Sequence, residues 1–320
     1  MKKYTAILVA VVAVLLIAGY KYSANVGDPL SSGPLSKIRI ATGGESGIYY
    51  AYGDALADAL EQRLNVPVTA IPSGGSVDNI HMLKNLKAEI AFVQNDIMTY
   101  AYNGSNIFST EGGFKDFSAI AGLYPETCHI VARRDIEDIA GLKGRRVSIG
   151  AEGSGTELNA LQILEAYGMK YTDVDVDHLG FAASVTAFRD GKIDAFFCTA
   201  GIPTPAISEL AAGGEARLLS IGEAHARSII SLYPYYSRQA IPKGVYPGID
   251  DEAKTVAVKA TLVASNKLSE QAVAEILKML FDGGEAAKKL PESGSLSREF
   301  AVEGLPIPLH PGAEKFFLGK

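Results

Sequence analysis

Runs that read as strand and runs that read as helix alternate along this chain with a regularity that few folds accommodate. KIRIAT (37–42), VPVTAIP (66–72) and EIAFVQ (89–94) are short, apolar and β-rich. Between them YYAYGDALADALEQRL (49–64) and SVDNIHMLKNL (76–86) repeat their apolar residues at helical spacing, with Ser76 placed as an N-cap. The order returns downstream as RRVSIG (145–150), a helix over 156–167, VDVDHLG (174–180), a helix over 182–191 and IDAFFCTAG (193–201), then TPAISELAAG (204–213) and ARLLSIG (216–222). Strands joined through helices of this length pair in parallel and carry helices on both faces. The pattern therefore predicts an α/β chain with two doubly wound sheets, echoing each other in structure but not in sequence. A length of 320 residues suits two lobes of ordinary size.

FSAIAGLY (117–124), CHIVARR (128–134) and TVAVKATLVAS (255–265) are further extended runs, and 269–282 is an amphipathic helix with Ser269 as cap and Gly283 as stop. The chain is expected to build lobe I from 37–125 and 252–320 and lobe II from 126–251, crossing between them on hinge strands. Ahead of both, Lys2 and Lys3 precede an apolar run from Thr5 to Gly19, the pattern of an export signal. Leu16–Gly19 resembles the start of a lipoprotein box, but Tyr20 stands where the lipidated Cys belongs. Residues 1–24 are thus a signal peptide or a retained N-terminal anchor to the inner membrane, and 25–36 a polar linker, with the mature chain periplasmic or otherwise extracytoplasmic. Export means an oxidising compartment, in which Cys128 and Cys198 are either paired or two small buried thiols. A net charge of −6, with basic residues in short clusters only, argues against nucleic acid as a partner.

Ligands of open α/β sheets sit beyond the carboxyl ends of the strands. The junctions there are TGGESGIYY (42–50), PSGGS (72–76), VQND (93–96) and AEGSGTE (151–157). Three of them combine Gly with Ser or Thr just before a helix. A helix N-terminus presents free N–H groups and partial positive charge, and glycine admits close approach, so such a junction holds an anion without Arg or Lys. GAEGSGT has P-loop glycine spacing, but Thr156 stands in place of the phosphate-binding Lys, and GGESG lacks the third glycine of a dinucleotide fingerprint. A small carboxylate is the expected ligand, with no cofactor. Cys128 and His129 are strand neighbours that point to opposite faces, so they form no attacking pair. The five histidines show no metal spacing and no nucleophile elbow is present, so neither a metal site nor catalysis is expected.

IATGGESGIYYAYGDALA, PSGGSVDNIHMLKNLKAEIAFVQND, GSGTELNALQILEAYG, FRDGKIDAFFCTAGIPTPAISELA and LPIPLHPGAEKFF together resemble the TAXI family of TRAP-transporter solute receptors, from about residue 37 to the C-terminus. The resemblance implies a two-lobed periplasmic-binding-protein fold of type II. It also implies delivery of a small organic anion, glutamate-like or a dicarboxylate, to a TRAP membrane permease driven by an ion gradient. Carried over by residue, it implies ligand contacts from Gly47, Tyr49 and Tyr50; from Ser73, Gly74, Gly75 and Ser76; from Gln94; from Ser154, Gly155 and Thr156; and from Thr199 and Ala200. Asp96 or Glu126 would accept an ammonium group if the ligand has one. In that fold the strand carrying Cys128 pairs with the one carrying Cys198. Ala51 replaces a proline common among relatives, and the missing lipobox is a second departure. The alternative use of such a fold is as a sensor that presents ligand occupancy to a membrane signalling protein.

Overall fold

The computed structural model describes residues 36–281 and 296–319. The expectations for residues 1–35 and for Gly283 lie outside these. Three short parallel strands, β1 (Ile38–Ala41), β2 (Val68–Ile71) and β3 (Ile90–Gln94), are connected by helices α1 (Ile48–Leu64) and α2 (Ser76–Lys84). Helix α3 (Asn95–Asn103) follows β3 without a break. The second set is β5 (Arg146–Ser148), α4 (Gly155–Ala166), β6 (Asp175–Asp177), α5 (Phe181–Arg189) and β7 (Ala195–Ala200), again parallel. Central strands β3 and β7 are buried along their whole length, as expected of IAFVQ and AFFCTA in sheets covered on both faces.

Two long strands run between the sets. β4 (Phe117–Arg133) and β10 (Ala253–Ser265) pair antiparallel; β10 also pairs with β3, and β4 with β7. The strand path is β2-β1-β3-β10-β4-β7-β5-β6, with β8 (Ala216–Leu218) on β4 and β9 (Ser237–Ile241) on β10. The two expected sheets are therefore continuous, because the sequence runs 117–124 and 128–134 form one strand through Pro125. Register shifts near Ala260–Val263 interrupt the β4–β10 ladder. Alternate residues of β4 feed different cores: Cys128 and Ile130 pack with Ile149, Ile163 and Phe197, whereas Val131 packs with Phe188, Phe196 and Cys198.

Each set is held by the same clamp. Arg39 on β1 places its guanidinium on Glu89 (2.6 Å) and on the Leu86 carbonyl, and Arg146 on β5 places its own on Asp194 (2.6 Å) and on the Gly191 carbonyl. Helices α6 (Pro205–Ala211), α7 (Glu223–Leu232), α8 (Glu270–Phe281), α9 (Arg298–Val302) and α10 (Pro311–Leu318) complete the described layers.

Candidate functional site

A cavity of about 70 Å³ lies where the carboxyl ends of the two strand sets meet. Gly47, Tyr49, Gly74, Gly75, Ser76 and Gln94 line it from the first set, and Ser154, Gly155, Thr156, Thr199 and Ala200 from the second. Glu126 lines it from β4. Gly43, Gly44 and Ile48, from the junction 42–50 but not named there as contacts, and Phe181, which the sequence did not suggest, complete the wall.

No Lys, Arg or His lines this space, so any counter-charge to an anion comes from the backbone. Helix α4 supplies it. Ser154 caps the helix by accepting from Glu157 N (3.2 Å), and its own N–H donates to Ala151 O (3.1 Å). Thr156 Oγ1 accepts from Thr199 N (3.3 Å). The N–H groups of Gly155 and Thr156 donate to no protein acceptor among the described residues, so two donors at the positive end of a helix face the cavity. Ser154, implied as a contact by the resemblance, does not join them through its N–H, which is bound to Ala151.

Two acceptors share the same space. Glu126 is 4% exposed and accepts a 2.6 Å hydrogen bond from the Tyr49 hydroxyl. Burial pushes its carboxyl up to about 8; the Tyr49 bond opposes this, and the nearby Asp96 adds to it. Burial and the Glu126 charge raise the Tyr49 hydroxyl well above its ordinary value, so Tyr49 is the donor. Gln94 is 3% exposed; its N–H donates to Ser76 Oγ (3.1 Å), while its Oε1 lies against Gly155 with no hydrogen-bond partner. A buried amide oxygen left without a donor is costly, and this one is in the wall of a cavity.

Three expected residues stand elsewhere. Tyr50 does not line the cavity, because Tyr49 is the residue of that pair whose side chain turns inward. Ser73 is tied to Asn79 Oδ1 (2.7 Å) and to the Thr42 carbonyl, and accepts from Gly75 N. Asp96 is turned into the interior because α3 begins at Asn95. It is fully buried, accepts from Ile97 N (2.8 Å) and Asn159 Nδ2 (3.1 Å), and is pushed by burial to about 6. Asn159 continues to Tyr236, and Tyr236 donates to Gln162 (2.6 Å), so Asp96 belongs to a polar network between α3 and α4.

The loops also touch each other. The Gly153 carbonyl accepts from the N–H groups of Val77 (3.1 Å) and Asp78 (3.3 Å), so the N-terminus of α2 is capped by backbone from the other strand set. A Cβ on Gly74 would stand 2.6 Å from the Glu152 carbonyl oxygen, and one on Gly153, whose φ is 75°, would stand 2.7 Å from Asp78 Oδ1. The seam between the loops therefore requires both glycines, and Gly74 lines the cavity as well.

Cys128 and Cys198 are both free and buried; they face opposite sides of the sheet, and Cys198 is in register with His129, which closes the disulfide option. His129 is a satisfied core residue. Its Nδ1 meets the Thr127 and Cys198 carbonyls, its Nε2 accepts from the Tyr246 hydroxyl (2.8 Å), and burial lowers it to about 4. Among the described residues no three His, Cys, Asp or Glu side chains are grouped to hold a metal, and no helix is long and apolar enough to cross a membrane.

The family model of the NMT1-like family matches residues 40–319. The chain belongs to this family. Among solved structures, this NMT1-like chain is similar to a protein from Bordetella bronchiseptica, with 20% identity, 88% of this chain and 89% of that one covered, and a TM-score of 0.54. It is similar to PhnD1 from Prochlorococcus marinus in complex with methylphosphonate, with 12% identity, 79% and 88% covered, and a TM-score of 0.52. It is also similar to the alkanesulfonate-binding protein SsuA from Xanthomonas axonopodis pv. citri bound to MOPS, with 17% identity, 91% and 86% covered, and a TM-score of 0.50. At these identities the likeness is one of fold. The NMT1-like chain has the two-lobed periplasmic-binding-protein architecture that the motif resemblance implies.

Proposed function

We propose that this NMT1-like protein is an extracytoplasmic receptor that encloses a small organic anion and delivers it to a membrane permease, without turning it over. Residues 37–125 with 252–320 form one lobe and 126–251 the other, and the ligand is held where they meet. One observation carries this reading: two free N–H groups at the start of α4 share a cavity with two buried acceptors, Glu126 and Gln94 Oε1. A carboxylate suits the donors. An ammonium group suits the acceptors, so a glutamate-like amino acid satisfies every open group. A dicarboxylate fits only with Glu126 protonated and leaves Gln94 Oε1 without a donor. Asp96 is withdrawn as the ammonium acceptor, and Glu126 takes that role.

The motif resemblance to TAXI receptors supports a TRAP-type permease as the partner. The sulfonate and phosphonate ligands of the similar structures make tetrahedral anions the competing class. Thermal-shift screening of the exported protein against amino acids, dicarboxylates, sulfonates and phosphonates tests this. A ligand selective for the folded state adds about 2.7 kcal/mol of stability at 100 times its dissociation constant. Silence across all four classes from a folded, ligand-free sample would sink the receptor reading.

A further inference from the structure

We propose that Phe181 sets the longest ligand the cavity admits; this rests on the receptor reading above and names its selectivity determinant. The other lining residues of the second strand set are Ser154, Gly155, Thr156, Thr199 and Ala200, all small. Phe181 alone from that side fills volume. It is the first residue of α5, follows the capping Gly180, and is half-buried against the core of its own strand set. Across the cavity stands a stretch that fills little space: Gly43, Gly44 and Gly47. A Cβ on Gly47 would come within 4.0 Å of Phe181 Cε2, so the ring abuts bare backbone of the opposite lobe. Gly155, Thr156, Glu126 and Gln94 fix the polar end of a ligand. Its remaining length then runs out against this ring.

The test measures affinity for aspartate, glutamate, 2-aminoadipate and 2-aminopimelate, and for malonate through adipate as the amine-free series. One extra methylene beyond a filled pocket costs about tenfold or more. In the parent protein each series should therefore show a step of about tenfold at its first excluded member. Phe181→Ala should reduce that step to about threefold or less, while Phe181→Leu, which keeps bulk, should retain most of it. A half-buried position lets both variants fold, which circular dichroism and melting curves check. If both series bind but the step is the same in Phe181→Ala, or if the parent shows no step, the role of Phe181 is overturned. If no member of either series binds the folded parent, the receptor reading falls and the proposal with it.

Discussion

A carboxyl group as buried as Glu126 exists either neutral or beside a positive charge, and the two cases separate the candidate ligands. Its folded value of about 8 lies above the ordinary 4.5, so between these limits the folded protein holds a proton that the unfolded chain has released. Stability from this group is therefore greatest below about pH 4.5 and is lost as pH rises towards 8, with a slope of up to about 1.4 kcal/mol per pH unit. Asp96 acts in the same direction between 3.8 and about 6. Melting of the ligand-free protein should fall between pH 6 and 8, and Glu126→Gln should flatten that fall; equal slopes in both proteins would refute the buried-carboxyl account. An amino-acid ligand should drive a proton off Glu126 at neutral pH, read as a buffer-dependent binding enthalpy, whereas a dicarboxylate should not. Thr156→Val removes the acceptor of Thr199 N and should cost about 1–3 kcal/mol of stability. Gln94 and Thr156 were placed at the cavity by their positions at a strand end and a helix start, and Glu126 by its position between two β-rich runs. Asp96 was misplaced because one residue of helix turns a side chain from cleft to core. Phe181 was silent, since a phenylalanine at a helix start reads as packing.

At the scale of elements, the glycine-rich junctions carry two duties that the sequence merges into one. AEGSGTE provides free donors through Gly155 and Thr156, yet its Gly153 carbonyl caps the facing helix α2. PSGGS contributes lining at Gly74, Gly75 and Ser76, but the N–H groups of Gly74 and Gly75 are engaged by Asp78 and Ser73. Gly74→Val should push the loops apart, because its Cβ would meet the Glu152 carbonyl at 2.6 Å, and ligand should dissociate about tenfold faster or more, a loss of ~1.4 kcal/mol. Stopped-flow release checks this, and an unchanged rate would show that the seam does not hold the cleft shut. The elements named from the sequence were placed to within a residue or two at most ends, but helices α3, α7, α9 and α10 and strand β9 were not read at all. β4 was not read as one strand, because Gly122 and Pro125 interrupt its β pattern while its neighbours β7 and β10 hold it extended regardless.

For the whole molecule, the twin Arg39–Glu89 and Arg146–Asp194 clamps brace each strand set internally, and β4 and β10 cross between the sets. On the receptor reading, closure would move each set as a unit about this two-stranded crossing. Delivery to a TRAP-type permease predicts that uptake in reconstituted vesicles collapses with the ion gradient and survives removal of ATP; the opposite pattern would assign the chain to an ATP-driven importer. The two-lobed plan was readable from periodicity and motif order together. The continuity of the sheet was not, since strand pairing across the crossover depends on contacts distant in sequence.

The seam of Gly153, Val77 and Asp78 joins protein to protein. Whatever it contributes to closure is added equally for every solute that fits beneath it. On the receptor reading proposed above, substitutions there should shift the concentration at which the cleft half-fills and leave the ranking of solutes unchanged, while substitutions in the cavity wall should reorder the ranking. Sensitivity and preference are thus written in different residues, and a lineage of such receptors is free to change either one alone.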